Sequence, residues 1–201
     1  MSLAVPPNST RPPLHTDELY RLSVDQYHSL ISNSALTEDD PVELVDGLLV
    51  LKFPKNPLHE AIIAIVLDLL MSNLPTGWSC RAQGSITLEN SEPEPDIAVF
   101  RGTHRDYTTR HPGPADLALI LEVADSSLHR DRTDKLAIYA RVNIPTYIIL
   151  NLTTQTLELH TQPDPQSSRY RTLQTLSASD TLTLHLPDTA PISLPASALL
   201  P

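Results

Sequence analysis

The sequence predicts an α/β fold in which helices pack against a mixed β-sheet. From residue 57 onward the hydrophobic pattern has the order helix, three strands, helix, strand, which is typical of such a sheet. Before it, Asp46-Gly47 stands between two apolar runs and predicts a tight β-hairpin. The 201 residues suit one domain, which we expect at 22–186, between a flexible Pro-rich segment at 1–21 and an extended Pro-rich segment at 187–201.

The first half of the chain predicts two helices around the hairpin. Ser23 suits the N-cap of a short amphipathic helix at 24–31, and the hairpin strands are expected at 42–45 and 48–52. Pro57 favours the first turn of a long helix that ends near residue 74. That helix is apolar on almost every side, so it should be covered on two sides, and a homodimer is one way to cover it.

The second half alternates between strands and one helix. Strands are predicted at 79–88, 97–100 and 117–123, a helix at 132–142 and a short buried strand at 147–150. The remaining apolar runs, at 156–160, 170–173 and 181–186, predict a β meander.

Composition limits the classes of function. With 14 basic and 24 acidic residues, the formal net charge is −10, which is the wrong sign for holding nucleic acid by bulk electrostatics. A nucleic-acid role would therefore rest on a local site or a metal. A single cysteine, Cys80, and the absence of a signal-peptide pattern lead us to expect a cytoplasmic protein, and no apolar run is long enough to cross a membrane.

Two acidic residues stand beside apolar strands. Glu122 is the only charge in the predicted strand at 117–123, and Asp96 begins the strand at 97–100. A buried, unpaired carboxylate costs several kcal/mol, so Glu122 needs a cation, a proton or an edge position that reaches solvent. Asp96 could simply be a turn residue. If the two strands are neighbours, both carboxylates meet at one end of the sheet, where their oxygens suit Mg²⁺ or Mn²⁺.

A third group of polar residues lies at the start of the second helix. Asp131, Lys135 and Tyr139 have the spacing i, i+4, i+8 and share one helix face. Two interpretations stay open: the face is a solvated one with a helical ion pair, or Lys135 reaches the strand end that carries Glu122.

In this arrangement Pro95-Asp96, Glu122-Val123 and Lys135 resemble the PD-(D/E)XK nuclease superfamily. The region 21–186 as a whole resembles the Uma-two family of endonucleases. The features that carry this resemblance are Glu43-Leu44-Val45-Asp46-Gly47, His59, Pro95-Asp96, Leu121-Glu122-Val123 with Asp125-Ser126-Ser127, Asp131 with Lys135 and Tyr139, and Ile144-Pro145-Thr146-Tyr147. One position departs from the superfamily pattern, because Ala124 stands where a lysine usually completes the motif.

The resemblance implies a restriction-endonuclease-like core, αβββαβ, with an N-terminal helix and hairpin and a C-terminal β meander. It also implies a metal-dependent DNA endonuclease that hydrolyses phosphodiester bonds. Asp96, Glu122 and the Val123 backbone carbonyl would hold Mg²⁺ or Mn²⁺, and Lys135 would replace the missing lysine and orient the attacking water. Glu43, His59, Asp131 and Tyr139 are possible accessory residues.

Other interpretations remain open at the level of sequence. The chain could be a catalytically inactive dimer with a nuclease fold that acts as a binding module, or a hydrolase of a smaller phosphoester. Glu43 could be solvent-exposed, and His59 could be a capping or packing residue. The loop at 101–114 carries His104, His111, Arg101, Arg105 and Arg110, which either touch a phosphate backbone or are solvated.

Overall fold

A computed structural model describes residues 19–37 and 39–201. The N-terminal part begins with α1 (Val24–Ser32), where Ser23 is the N-cap and forms a capping box with Gln26. The antiparallel hairpin of β1 (Val42–Val45) and β2 (Leu48–Leu51) follows, then the long helix α2 (Pro57–Asn73). Most of the segment predicted to be flexible, residues 1–18, lies outside the described residues.

A six-stranded sheet forms the centre of the molecule. Its strands are neighbours in sequence order, and only the pair β5 and β6 is parallel. They are β3 (Trp78–Ala82), β4 (Ile97–Arg101), β5 (Leu117–Ala124), β6 (Thr146–Asn151), β7 (Thr156–Asp164) and β8 (Arg169–Leu176). A mixed sheet of this kind confirms the predicted fold class.

One strand and one helix have boundaries that differ from the sequence-based prediction. The strand expected at 79–88 ends at Ala82, because Gln83 adopts a left-handed backbone conformation (φ 54°) that an extended strand does not accommodate. The helix expected at 132–142 begins earlier and is irregular. Its parts are α3 (Leu128–Arg130), a π-helical turn (Asp131–Lys135) and α4 (Leu136–Arg141), which follow one another without a break.

The sheet separates two hydrophobic layers. On one face, α2 buries Ile62, Val66 and Leu70 against the sheet. On the other face, α4 packs Ile138 and Tyr139 in a second cluster. Because both faces are covered, every residue of β5 is buried, as in strands that lie inside a layered α/β domain.

The end of the chain also packs into the core. A second hairpin pairs β9 (Thr181–Leu184) with β10 (Ile192–Pro195), and Leu194, Leu199 and Leu200 are buried in the cluster beneath α2. The packed region therefore continues past residue 186, where we expected it to end. Pro195 can be the last residue of this edge strand, because its missing N–H is not needed for a hydrogen bond on the outer side of the sheet. Within the described ranges, no helix has the length and apolarity needed to cross a membrane.

Candidate active site

Asp96 and Glu122 meet at one end of the sheet. Strands β4 and β5 are antiparallel neighbours, with Ile97 opposite Leu121, so the carboxylates one residue further along lie side by side. The Asp96 N–H donates to Glu122 Oε2 (3.2 Å), and the Val123 N–H donates to Asp96 Oδ2 (2.9 Å). Each carboxylate is therefore held by the backbone of the other's strand, which fixes both side chains without using all of their oxygen lone pairs.

Glu122 is buried, with 3% of its surface exposed. The interpretation that places it at a solvent-facing edge is therefore wrong, since β5 is a central strand. Its Oε1 accepts hydrogen bonds from Lys135 Nζ (2.9 Å) and from the Tyr139 hydroxyl (3.0 Å). Burial raises the pKa of the Glu122 carboxyl, Lys135 opposes that shift, and the charge of Asp96 adds to it.

Lys135 and Asp131 lie on the inward face of the helical segment. Both side chains are buried, so the interpretation of a solvated charged face is wrong. Ser127 Oγ donates to Asp131 Oδ2 (2.6 Å), and burial raises the pKa of this carboxyl. For Lys135 burial acts in the opposite direction, but the surrounding charges, led by Glu122, outweigh it and raise the pKa, so the amine stays charged.

Glu43 reaches the same place from the hairpin. It is 4% exposed, which excludes the interpretation of a solvent-exposed residue. The Glu94 N–H donates to Glu43 Oε2 (3.0 Å), and Glu43 Oε1 lies 3.7 Å from Lys135 Nζ. Lys135 thus lies between two carboxylates, Glu43 from β1 and Glu122 from β5.

His59 joins the site from the first turn of α2. The Asn56 side chain caps that helix by accepting from the His59 N–H (3.0 Å), so the histidine is not itself the cap. Its Nε2 lies 3.2 Å from Asp96 Oδ2. The hydrogen bond to Asp96 raises the pKa of His59, and a contact with the Val123 backbone acts in the same direction. Nδ1 is buried and has no hydrogen-bond partner among the described residues.

All of these side chains except Tyr139 line one pocket, which has an acidic floor and basic residues at its mouth beside Glu94 and Asp125. The sequence contains three lysines, and all of them line this pocket. Sequence reasoning missed Lys52, Lys55 and Arg130 at the mouth. The scarcity of lysine in the chain, with two of the three at 52–55, is a signal that could have indicated them. The basic cluster of the loop at 101–114 does not line the pocket.

The residues on the floor of the pocket are chemically suited to bind a divalent cation. Asp96 and Glu122 are neighbouring carboxylates; burial raises the pKa of Glu122, Lys135 opposes that shift, and the charge of Asp96 adds to it. Within residues 19–37 and 39–201, however, no group of three or more His, Cys, Asp or Glu side chains is already arranged to hold a metal. Two carboxylates and a backbone carbonyl are thus a donor set for Mg²⁺ or Mn²⁺ that would need water to complete the coordination.

Comparison with known proteins identifies the family. The family model described as "Uma2: Putative restriction endonuclease" matches residues 24–195, which is most of the chain. The chain belongs to the Uma2 family. This confirms the resemblance noted in the sequence. No protein with a curated description matches the chain.

Solved structures extend the comparison to the fold. A crystal structure described as a putative nuclease belonging to DUF820, from Anabaena variabilis ATCC 29413, is similar with a TM-score of 0.66 at 13% identity, covering 89% of this chain and 97% of that one. Apo NucC from E. coli MS115-1 covers 46% of this chain and 49% of its own at 17% identity, with a TM-score of 0.32. The first of these likenesses supports a nuclease-like fold for this Uma2 member, and the second is too weak to carry an argument.

Proposed function

We propose that this Uma2-family chain is a DNA endonuclease that hydrolyses phosphodiester bonds with the help of Mg²⁺ or Mn²⁺. The observation that supports the proposal most directly is the convergence of Asp96, Glu122 and Lys135. These residues come from two strands and a helix, yet the lysine amine and the aspartate backbone both bond to the Glu122 carboxylate. A module used only for binding has no need to bury this many charges around one pocket.

Asp96 and Glu122 are proposed to hold the cation, together with the Val123 backbone carbonyl. A divalent ion bound there would acidify a water molecule and offset charge on the phosphate. Because backbone N–H groups fix both carboxylates, they would need little reorganisation when the substrate enters. His59 would help to keep the Asp96 carboxylate in position through Nε2.

Lys135 is proposed to orient the attacking water and to stabilise negative charge on the phosphate. Its raised pKa keeps the amine protonated, so it would act as an electrostatic group and a hydrogen-bond donor rather than as a base. Tyr139 would hold the Glu122 carboxylate in the orientation that Lys135 also uses. Glu43 and Asp131 would keep the lysine charged and centred.

The test is nicking of supercoiled plasmid by purified protein in Mg²⁺, in Mn²⁺ and in EDTA. We expect cleavage that needs the divalent ion and that falls at least about 100-fold in Glu122→Gln and in Asp96→Asn. The matched control is Glu158→Gln, which removes a buried carboxylate that pairs with Arg132 outside the pocket. Cleavage that survives in Glu122→Gln would overturn the proposal, as would its absence in wild type under all three conditions.

A homodimer is also part of the proposal. Along α2 three apolar side chains are exposed, Leu58, Ile65 and Met71, at 48%, 49% and 62%. Ile65 and Met71 point away from the residues that pack on the sheet, Leu58 lies beside that packing face at the start of the helix, and a second copy would cover this exposed apolar surface. Sedimentation velocity should give a dimer for wild type and a monomer for Ile65→Glu. A monomer at every wild-type concentration would remove this part of the proposal.

A further inference from the structure

The connection between β2 and α2 forms one side of the pocket mouth. Lys52, Phe53 and Lys55 line the pocket there, and Arg130 lines it from the end of α3. Arg130 Nη1 donates to the Leu51 carbonyl (2.6 Å), which ties the helix to this connection. We call Lys52, Phe53, Lys55 and Arg130 the rim. It is separate from the buried carboxylates of the floor.

The charge of the rim is opposite to that of the rest of the protein. The formal net charge of the chain is −10, yet the rim carries three basic side chains within one pocket. Lys52 is partly compensated by Glu94, whose Oε1 lies 2.7 Å from its Nζ. Lys55 lines the same pocket as His59, so its positive charge lies close to the site. Asp125 also lines the pocket, so the mouth carries mixed charge, and the three basic side chains of the rim are the groups there that could attract an anionic ligand.

Phe53 is the aromatic component of the rim. Its side chain lies in a polar pocket mouth and is 38% exposed. The Arg130 guanidinium lies over the ring, with Cζ 4.4 Å from the ring centroid. Arg130 also donates to the Leu51 carbonyl, so it supports one face of the ring, while part of the surface of Phe53 remains exposed. A braced, exposed aromatic ring beside basic groups is how proteins stack the bases of a single strand.

The number of basic groups argues against a duplex as the preferred ligand. A protein that holds duplex DNA through its backbone commonly neutralises several phosphates, and 6 to 10 contacts are ordinary. The rim offers three basic side chains, and the floor below it is acidic. The carboxylates of Asp96 and Glu122 are also buried, so a phosphate must enter the pocket to reach them. An unpaired strand can enter more deeply than a duplex, and stacking can supply affinity that charge does not.

We propose that the rim binds an unpaired nucleic-acid strand, with a base stacked on Phe53 and the adjacent phosphates against Lys52, Lys55 and Arg130. The proposal rests on the proposed function, since the bound strand would present its phosphodiester to Asp96 and Glu122. The substrate class is then single-stranded or locally opened DNA. Binding itself depends on the rim and not on the floor.

The experiment measures binding in EDTA, so that divalent-dependent cleavage does not interfere. Fluorescence anisotropy compares a labelled 12-nucleotide single strand with a hairpin duplex of the same sequence. We expect wild type to bind the single strand at least about tenfold more tightly, and Phe53→Ala to weaken that binding by about 5- to 150-fold. Phe53→Trp should restore it. With three phosphate contacts, the slope of log K against log salt should be about −2.

The matched control is Leu173→Ala, which removes an exposed apolar side chain on β8, away from the pocket. Melting curves of all variants establish that each one folds. Equal affinity for the two ligands, undetectable binding of the single strand, or an effect of Phe53→Ala no larger than that of Leu173→Ala would overturn the inference.

Plasmid nicking separates this inference from the proposed function. If the protein prefers the single strand and this preference depends on Phe53, but no plasmid is cleaved, the proposed binding by the rim is supported and the proposed nuclease activity is overturned. If plasmid is cleaved and cleavage depends on Glu122, but the protein prefers the duplex, the proposed nuclease activity is supported and the proposed binding of an unpaired strand is overturned.

Discussion

Lys135 Nζ lies 2.9 Å from Glu122 Oε1, although one residue belongs to a helical segment and the other to a central strand. Both side chains are buried, so neither charge has bulk water to stabilise it. Such a pair is costly to break because removing one partner leaves the other as an isolated buried charge.

Replacing Lys135 by methionine should therefore affect both stability and activity. We expect Lys135→Met to lower the free energy of unfolding by about 3 kcal/mol, since Glu122 loses its cation. Adding Glu122→Gln should recover most of that stability, because the isolated charge is then gone, while nicking stays at least about 100-fold below wild type. Urea unfolding and plasmid nicking measure the two effects. Equal stability of the single and double variants would contradict the role of the pair.

Divalent ions should stabilise the folded protein through Asp96. At a concentration about 100 times the dissociation constant, Mn²⁺ should add about 2.7 kcal/mol, which corresponds to roughly 5 to 10 °C in the melting temperature. Asp96→Asn should lose this increase, because the amide is a weaker ligand than the carboxylate. Glu158→Gln, which is changed outside the pocket, should keep it. If Mn²⁺ raises the melting temperature of the Asp96 variant equally, the ion binds somewhere other than at Asp96.

Removal of the Tyr139 hydroxyl should have a smaller effect. Tyr139→Phe keeps the ring but removes one of the hydrogen bonds to Glu122, so we expect about a 10-fold loss of nicking and a stability cost of about 1.5 kcal/mol. Tyr147→Phe is the comparison, because its hydroxyl donates to the Asp131 carbonyl rather than to a carboxylate (3.1 Å). If both variants lose activity equally, the contact with Glu122 has no special role.

Acid should destabilise the protein through His160. Burial lowers the pKa of this histidine below its ordinary value of 6.5, and Arg132 acts in the same direction, while Glu158 opposes both. Because the unfolded chain binds the proton more readily, the contribution to stability is complete above pH 6.5 and is lost as the pH falls through that value towards the lower folded pKa. Between pH 7 and pH 5, the melting temperature of His160→Phe should therefore fall less than that of wild type. Parallel curves for the two proteins would contradict this.

Much of the fold follows from local pattern. The hairpin at Asp46-Gly47, the long helix after Pro57 and the apolar strand around Leu119 were all predicted from short stretches, because turn chemistry and hydrophobic period act over a few residues. The left-handed backbone at Gln83, which ends β3, was missed because nothing in its side chain demands that conformation. The apolar run at 181–186 predicted β structure where β9 lies, but its partner β10 was missed because the prolines of 187–201 suggested an extended end.

The candidate site, like the fold, could be predicted from the sequence only in part. By itself the sequence determined which residues carry unusual chemistry: Asp96 and Glu122 beside apolar strands, and Lys135 on a helix. The tertiary structure decided that β4 and β5 are neighbours, that the helix turns Lys135 inward, and that Lys52, Lys55 and Arg130 line the same pocket as the carboxylates. The physical reason is that charge and hydrophobic period are local properties of a chain, whereas the distance between two side chains depends on how separate elements pack.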